Sequence, residues 1–298
     1  MDVLELQDLS HIFGGGGSSL SYAGDQLGCA KKLNISFSQL YLDIKLNRMS
    51  LCQKNMIGCR CNNPTIPNDK NGKFRSRWYK GLERNKEMAA SPPPISMSSL
   101  SAIPFWSTGW EPTWAFPIRM CQKVPKLSKE LFEGHALPLA LSGDRCNQLL
   151  YRMLNGEMPD TLNPTAWWIL IGINDFADRC SKESILVGNL AVLEEALRRK
   201  PEARFILQGL LPRDQVRLSD SRVWKDNQWI NARLACLTEA APQLEFFNGT
   251  SSFLTHDDSQ INQTLMYDFL HPSMEGYTIW GRVMIQRLQE LGIWSSRR

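Results

Sequence analysis

The chain has 298 residues, 43% of them hydrophobic and 21% charged, with a formal net charge of +4. That balance suits a globular protein with a sizeable core and excludes collagen-like or wholly disordered classes, since Gly 20 and Pro 16 are ordinary for this length. Its apolar runs are too short to cross a bilayer, and Met1-Asp2-Val3-Leu4-Glu5 is acidic where a secretory leader is basic, so neither a span nor a signal peptide is expected.

Eight cysteines are present, Cys29, Cys52, Cys59, Cys61, Cys121, Cys146, Cys180 and Cys236. An even count in so long a chain does not by itself make a disulfide framework, and free thiols are the expectation. Cys52, Cys59 and Cys61 form a loose cluster without the second pair or the histidine that would complete a tetrahedral zinc site.

Residues 1–100 read as a low-complexity, basic N-terminal extension, largely disordered. Gly14 to Gly17 form a glycine run, Asn62 to Asn71 is rich in Asn, Pro and Asp, and Ser91-Pro92-Pro93-Pro94 leads into a serine-rich stretch. Between Lys45 and Lys86 the cations Lys54, Arg60, Lys70, Lys73, Arg75, Arg77, Lys80 and Arg84 face few acids, with Trp78 and Tyr79 interleaved. Such a segment is suited to contact nucleic acid or anionic lipid; the plainer reading is a solvated tail or a targeting extension.

From Ser101 to the end at 298 the pattern is that of one α/β domain, with short apolar runs alternating with helical stripes as in a parallel sheet covered on both faces. A first strand is expected near Ile103 to Trp106, followed by a strand at Ala136 to Leu141. Asn147, Leu149, Leu150, Met153 and Leu154 mark a helix face ended by Gly156. Ala166 to Gly172 is continuously apolar and should lie mid-sheet. A helix over Ser184 to Arg199, a strand at Arg204 to Leu210, a helix from Asp226 to Ala240, a strand at Leu244 to Phe247 and a helix from Met274 to Leu291 complete the alternation.

Ligands bind doubly wound sheets at the carboxyl ends of the strands. There the chain carries Ser142-Gly143-Asp144, Gly172-Ile173-Asn174-Asp175 and, before the last helix, Asp268-Phe269-Leu270-His271. Of the four histidines, His11, His135, His256 and His271, the last is the strongest candidate for a general base. Asp268, three residues before it, can accept from Nδ1 on a tight turn so that Nε2 takes the proton.

Taken in order, His135-Ala136-Leu137, Ser142-Gly143-Asp144, the run Leu150 to Pro159, Gly172-Ile173-Asn174-Asp175, Gly209-Leu210-Leu211-Pro212-Arg213 and Asp268-Phe269-Leu270-His271 resemble the SGNH (GDSL-type) hydrolases, above all those of the platelet-activating-factor acetylhydrolase catalytic-subunit kind. The likeness runs from about Lys129 to Leu291. It implies a three-layer α/β/α, flavodoxin-like sandwich with a parallel sheet and ester hydrolysis through a serine nucleophile. It also implies His271 as base, Asp268 as its orienting partner, and the Gly143 N–H with the Asn174 amide as oxyanion-hole donors. Fixed donors of that kind lower the barrier by about 3 to 4 kcal/mol each. No metal or organic cofactor is required; the substrate would be a small ester, with short acyl groups such as acetyl suggested. The relatives imply a homodimer in the cytoplasm.

One block departs from the family. Gly-Asp-Ser, which should end the first strand, occurs nowhere in the sequence. The family's spacing back from Lys129-Glu130-Leu131-Phe132 falls near Pro117, in a stretch Trp110 to Gln122 without serine. Ser107, in Phe105-Trp106-Ser107-Thr108-Gly109-Trp110, is the candidate nucleophile by position, with Thr108 as a weaker substitute. The rivals are a catalytically dead binding protein on the same scaffold, and an esterase whose upstream segment was replaced by mis-splicing.

Overall fold

Ala166-Trp167-Trp168-Ile169-Leu170 has no polar side chain to turn toward water, so it must be covered on both faces. In the computed structural model, which describes residues 20–92, 97–101, 118–214 and 217–295, this run is a fully buried strand, β3 (Ala166–Leu170). The others are β1 (Met97–Ser101), β2 (Ala136–Ala140), β4 (Arg204–Gln208) and β5 (Leu244–Phe247). They make one sheet of order β2-β1-β3-β4-β5 with every pair parallel, the flavodoxin-like order.

Between the strands run α5 (Ile118–Leu131), α6 (Cys146–Arg152), α7 (Lys182–Arg199) and α8 (Arg222–Thr238), and α9 (Met274–Glu290) follows β5. α6, α7 and α8 pack in one layer and α5 with α9 in the other, giving the three-layer α/β/α sandwich. Serines start three of these helices. Ser181, Ser221 and Ser273 accept from the amides of Ser184, Trp224 and Gly276 at 3.1, 2.9 and 3.1 Å. The Ser221 cap explains why α8 opens at Arg222, ahead of the Asp226 suggested by the apolar spacing. α6 ends at Arg152 and widens into a turn over Met153–Glu157, where Gly156 has φ +102°.

The first strand is not where the apolar pattern put it. β1 falls in the serine-rich run that reads as linker, and residues 103–106 lie outside the described residues. Pairing on both sides, with β2 and β3, makes Met97–Ser101 a strand despite its polar composition. The boundary drawn between residues 100 and 101 therefore cuts through this strand.

The expectation of disorder before that boundary also fails over residues 20–92. α1 (Leu20–Asp25), α2 (Gly28–Lys32), α3 (Phe37–Lys45) and α4 (Arg75–Ala90) all pack on the sandwich. Leu20, Phe37, Ile44, Trp78 and Leu82 are buried. α1 to α3 lie over α7 and α8, while α4 packs on β2, the sheet's edge strand. Burial of widely spaced apolar side chains among many polar ones hides from a compositional reading. Trp78 is 5% exposed, so it is not placed to stack on a nucleic-acid base.

Six of the cysteines are not the free thiols expected. Cys29 pairs with Cys236, Cys52 with Cys59 and Cys61 with Cys180, while Cys146 is free and buried. Two of the three join the extension to the sandwich across 207 and 119 residues of sequence, separations that no local spacing rule could reveal. The Cys52, Cys59 and Cys61 cluster is thus taken up in disulfides. Among the described residues no group of three or more His, Cys, Asp or Glu could hold a metal ion, and no helix is long and apolar enough to cross a membrane.

Native, unreduced protein should therefore resist alkylation at Cys29, Cys52, Cys59, Cys61, Cys180 and Cys236, as read by peptide mass spectrometry. The double substitution Cys29→Ser with Cys236→Ser should cost about 2–5 kcal/mol in denaturant unfolding. Full alkylation without reductant would contradict the pairing.

Candidate active site

The sheet's strand order reverses at β1, and the register sets Ser101 level with Ala140 of β2 and Leu170 of β3. The carboxyl end of β1 therefore lies between those of β2 and β3, the strands that lead to Gly143 and Asn174. This is the switch point at which such sheets bind ligands.

On the turn before α9, the Asp268 carboxylate closes a ring of hydrogen bonds. Oδ1 accepts from the amides of Leu270 and His271 at 3.1 and 2.7 Å, and Oδ2 lies 2.6 Å from His271 Nδ1. Phe269 takes a left-handed conformation, φ +59°, to make the turn this tight. Partial burial works against the charge on Asp268, but the His271 ring and the two amides outweigh it and hold the carboxyl below its ordinary range. An ionised carboxylate can only accept, so Nδ1 carries the proton and Nε2 is the atom that can exchange one.

After β2, Gly143 has φ +73°, and a Cβ there would sit 3.1 Å from the Lys70 ammonium. The positive φ favours glycine. Lys70 Nζ donates to the Gly143 carbonyl at 2.6 Å. Burial is the main reason the Lys70 ammonium is held below the ordinary lysine range, with Asp144 opposing it.

Asp144 has no exposed surface and is held from both sides: Trp78 Nε1 donates to Oδ1 at 2.6 Å and Arg152 Nη1 to Oδ2 at 2.7 Å. Arg152, also fully buried, grips Glu157 through Nε and Nη2 at 2.6 to 3.0 Å and donates to the Leu139 carbonyl. Asn85 of α4 completes the cluster by donating to Glu157 Oε1 at 2.8 Å. Burial raises the Glu157 carboxyl above its ordinary range, while Arg152 opposes the rise.

The Gly143 and Asn174 loops meet through one bond, Asn174 Nδ2 to the Asp144 carbonyl at 3.0 Å. That nitrogen carries two hydrogens, so this contact occupies one of them. Behind it, Asp175 Oδ2 accepts from the Cys146 amide at 3.3 Å, and burial lifts the Asp175 carboxyl to about 7. Arg213, after β4, donates to the Ile173 carbonyl at 2.8 Å. Burial holds the Arg213 guanidinium below its ordinary range, with Asp214 and Asp268 opposing the shift.

Of the sequence-derived candidates, Gly143 and Asn174 stand on the loops after β2 and β3, which the Asn174–Asp144 bond joins, and Asp268 pairs with His271 on the turn before α9. Ser107 and Thr108 lie outside the described residues, as does His11. His135 precedes β2 at the opposite edge, its ring 5.9 Å from that of Trp294, and His256 is exposed. Lys70 and Trp78, which the sequence places in the basic segment suited to nucleic acid or anionic lipid, and Arg152 and Arg213 are neighbours of these residues that the sequence did not assign to the site. The Gly209 to Arg213 run was a signal for Arg213; nothing in the local pattern marked Lys70 or Trp78.

These features define a class: a doubly wound α/β/α protein with a hydrogen-bonded His-Asp pair on the turn before α9 and a glycine and an asparagine on the loops after β2 and β3. The chain belongs to the GDSL-like Lipase/Acylhydrolase family, whose model matches residues 110–279. Platelet-activating factor acetylhydrolase IB subunit alpha1 of Homo sapiens is 30% identical over 151 residues, 50% of this chain and 62% of that protein. The Bos taurus subunit alpha1 is 33% identical over 155 residues, with the same coverage of both chains. The match thus spans 62% of the length of these curated relatives. A GDSL-like lipase from Bacteroides thetaiotaomicron shares the fold, with TM-score 0.53 and 18% identity over 72% of this chain and 98% of that one.

Removing Arg152 strands two buried carboxylates, so Arg152→Ala should destabilise the protein by about 3–5 kcal/mol. Trp78→Phe removes one donor from Asp144 and should cost about 1–3 kcal/mol. Denaturant unfolding monitored by circular dichroism checks both; a loss under 1 kcal/mol for Arg152→Ala would contradict the buried network.

Proposed function

We propose that this protein is a serine esterase acting on short-chain acyl esters, such as acetyl esters of a lipid or carbohydrate. The observation that carries the reading is the 2.6 Å pairing of His271 Nδ1 with Asp268 in a member of this family. Ser107 follows the end of β1 by six residues and is the proposed nucleophile. Its Oγ attacks the acyl carbonyl while His271 Nε2 takes the hydroxyl proton, and Asp268 stabilises the resulting imidazolium. The Gly143 N–H and Asn174 Nδ2 receive the charge that develops on the carbonyl oxygen. Collapse returns the proton to the departing alcohol. Water, deprotonated by the same imidazole, then releases the acid from the acyl-enzyme and restores Ser107. This route uses no metal or organic cofactor.

The acetyl preference is drawn from the names of the relatives, and a homodimer is carried over from the resemblance in the same way. Three disulfides favour an oxidising compartment, which counts against the cytoplasmic placement suggested by that resemblance. The second reading, a binding protein that keeps the scaffold without turnover, draws on the missing Gly-Asp-Ser block.

Hydrolysis of 4-nitrophenyl acetate by the purified protein separates the two. On the esterase reading His271→Ala and Ser107→Ala lower kcat by about 10⁴- to 10⁶-fold, and Asp268→Asn by about 10⁴-fold. Full activity in Ser107→Ala moves the nucleophile elsewhere. Turnover that is lacking in the parent, or unchanged by His271→Ala, favours the binding protein.

A further inference from the structure

Lys70 belongs to none of the family's blocks and precedes the segment that the family model matches, 110–279. The fold nevertheless brings its ammonium to 2.6 Å from the Gly143 carbonyl and to 3.1 Å from where a Gly143 Cβ would sit. The positive φ of +73° at this position favours glycine. The oxygens of the neighbouring Asp144 accept from Trp78 and Arg152, and among the described residues Lys70 makes no salt bridge to it. Among the described residues its ammonium donates to the backbone of the glycine proposed to bind the oxyanion. Asp69, the preceding residue, is itself fixed, accepting from Tyr79 Oη and Arg75 at 2.8 Å each and from Arg75 Nε at 3.1 Å. The base of the Lys70 side chain is therefore anchored to α4.

We infer that Lys70 is a positioning residue for ester hydrolysis: its ammonium fixes the Gly143 peptide and adds positive charge beside the site where the tetrahedral oxyanion forms. This rests on the esterase reading. A cation there favours a state whose negative charge exists only during the reaction, so it acts on kcat and leaves substrate binding alone. Four charged groups act on Lys70, and they do not agree. Asp144 on the loop after β2 and Asp178 beyond Asn174 favour its charge, whereas Arg145 and Arg152 at the two ends of α6 oppose it. Burial adds to the opposition, so proton loss begins below the ordinary lysine range. Activity should fall as pH rises through that titration.

The experiment compares parent, Lys70→Met, Lys70→Arg and His271→Ala on 4-nitrophenyl acetate from pH 6 to pH 11, with each variant's unfolding measured in parallel. The expected result is a kcat lower by about 10- to 100-fold in Lys70→Met at unchanged KM. Lys70→Arg should keep most of the rate, and its alkaline limb should disappear, because a guanidinium does not deprotonate in this range. The inference is overturned if Lys70→Met stays within twofold of the parent in kcat, or if Lys70→Arg keeps the parent's alkaline limb. It is overturned equally if Lys70→Met loses rate only in proportion to lost folded protein. Activity that depends on His271 but ignores Lys70 sinks this inference alone; activity absent from the parent or indifferent to His271→Ala sinks the esterase reading and this inference with it.

Discussion

A carboxylate with no exposed surface must have its charge answered by fixed partners, and Asp144 has two, Arg152 and Trp78. Much of the site's geometry follows from this. Because Asp144 cannot move without stranding a charge, the Gly143 peptide beside it and the Asp144 carbonyl that receives Asn174 are held as well. Arg152 is in turn bound to Glu157 and the Leu139 carbonyl, which joins the end of β2 to the turn after α6. The site is built on the carboxyl edge of a rigid sheet and stiffened by polar contacts that solvent does not reach. That is the preorganisation that stabilising a transient oxyanion requires.

The N-terminal segment is part of this construction. α4 supplies Trp78 to Asp144 and Asn85 to Glu157, and covers the edge strand β2. Farther up the chain, residues 51–61 strap the loop that follows Asn174. The amides of Gln53 and Arg60 donate to the carbonyls of Arg179 and Asp178 at 2.9 and 3.0 Å, Ser181 N donates to the Leu51 carbonyl at 2.8 Å, and Cys61 is bonded to Cys180. Two loops of a family domain are thus fastened by a segment outside the family match. The covalent fastening explains how a chain with so polar an extension keeps it in place: closing long loops restricts the unfolded chain most.

How much of this was legible in the sequence depended on the range of the interaction responsible. Strands such as Ala166–Leu170 and helices such as Lys182–Arg199 announce themselves because burial on one face or two repeats with a local period. The Asp268-His271 pair could be read because its partners are three residues apart, and Gly143 and Asn174 because the motif blocks are short and ordered. β1 could not, since Met97–Ser101 is a strand by virtue of its neighbours and carries no apolar pattern. Nor could the disulfides, the burial of Trp78 or the approach of Lys70 to Gly143, all of which join residues far apart in sequence. The same reasoning that found the family blocks dismissed the residues that hold them.

In the proposed mechanism Ser107, Gly143, Asn174 and His271 address one acyl group. A crystal structure of the protein after reaction with an alkyl fluorophosphonate tests it most directly. The account predicts a phosphonate bonded to Ser107 Oγ, with its non-bridging oxygen about 3 Å from both Gly143 N and Asn174 Nδ2 and with His271 Nε2 within hydrogen-bond reach of the ester oxygen. An adduct on a residue remote from these donors, or one whose phosphoryl oxygen points away from Gly143 and Asn174, would contradict it.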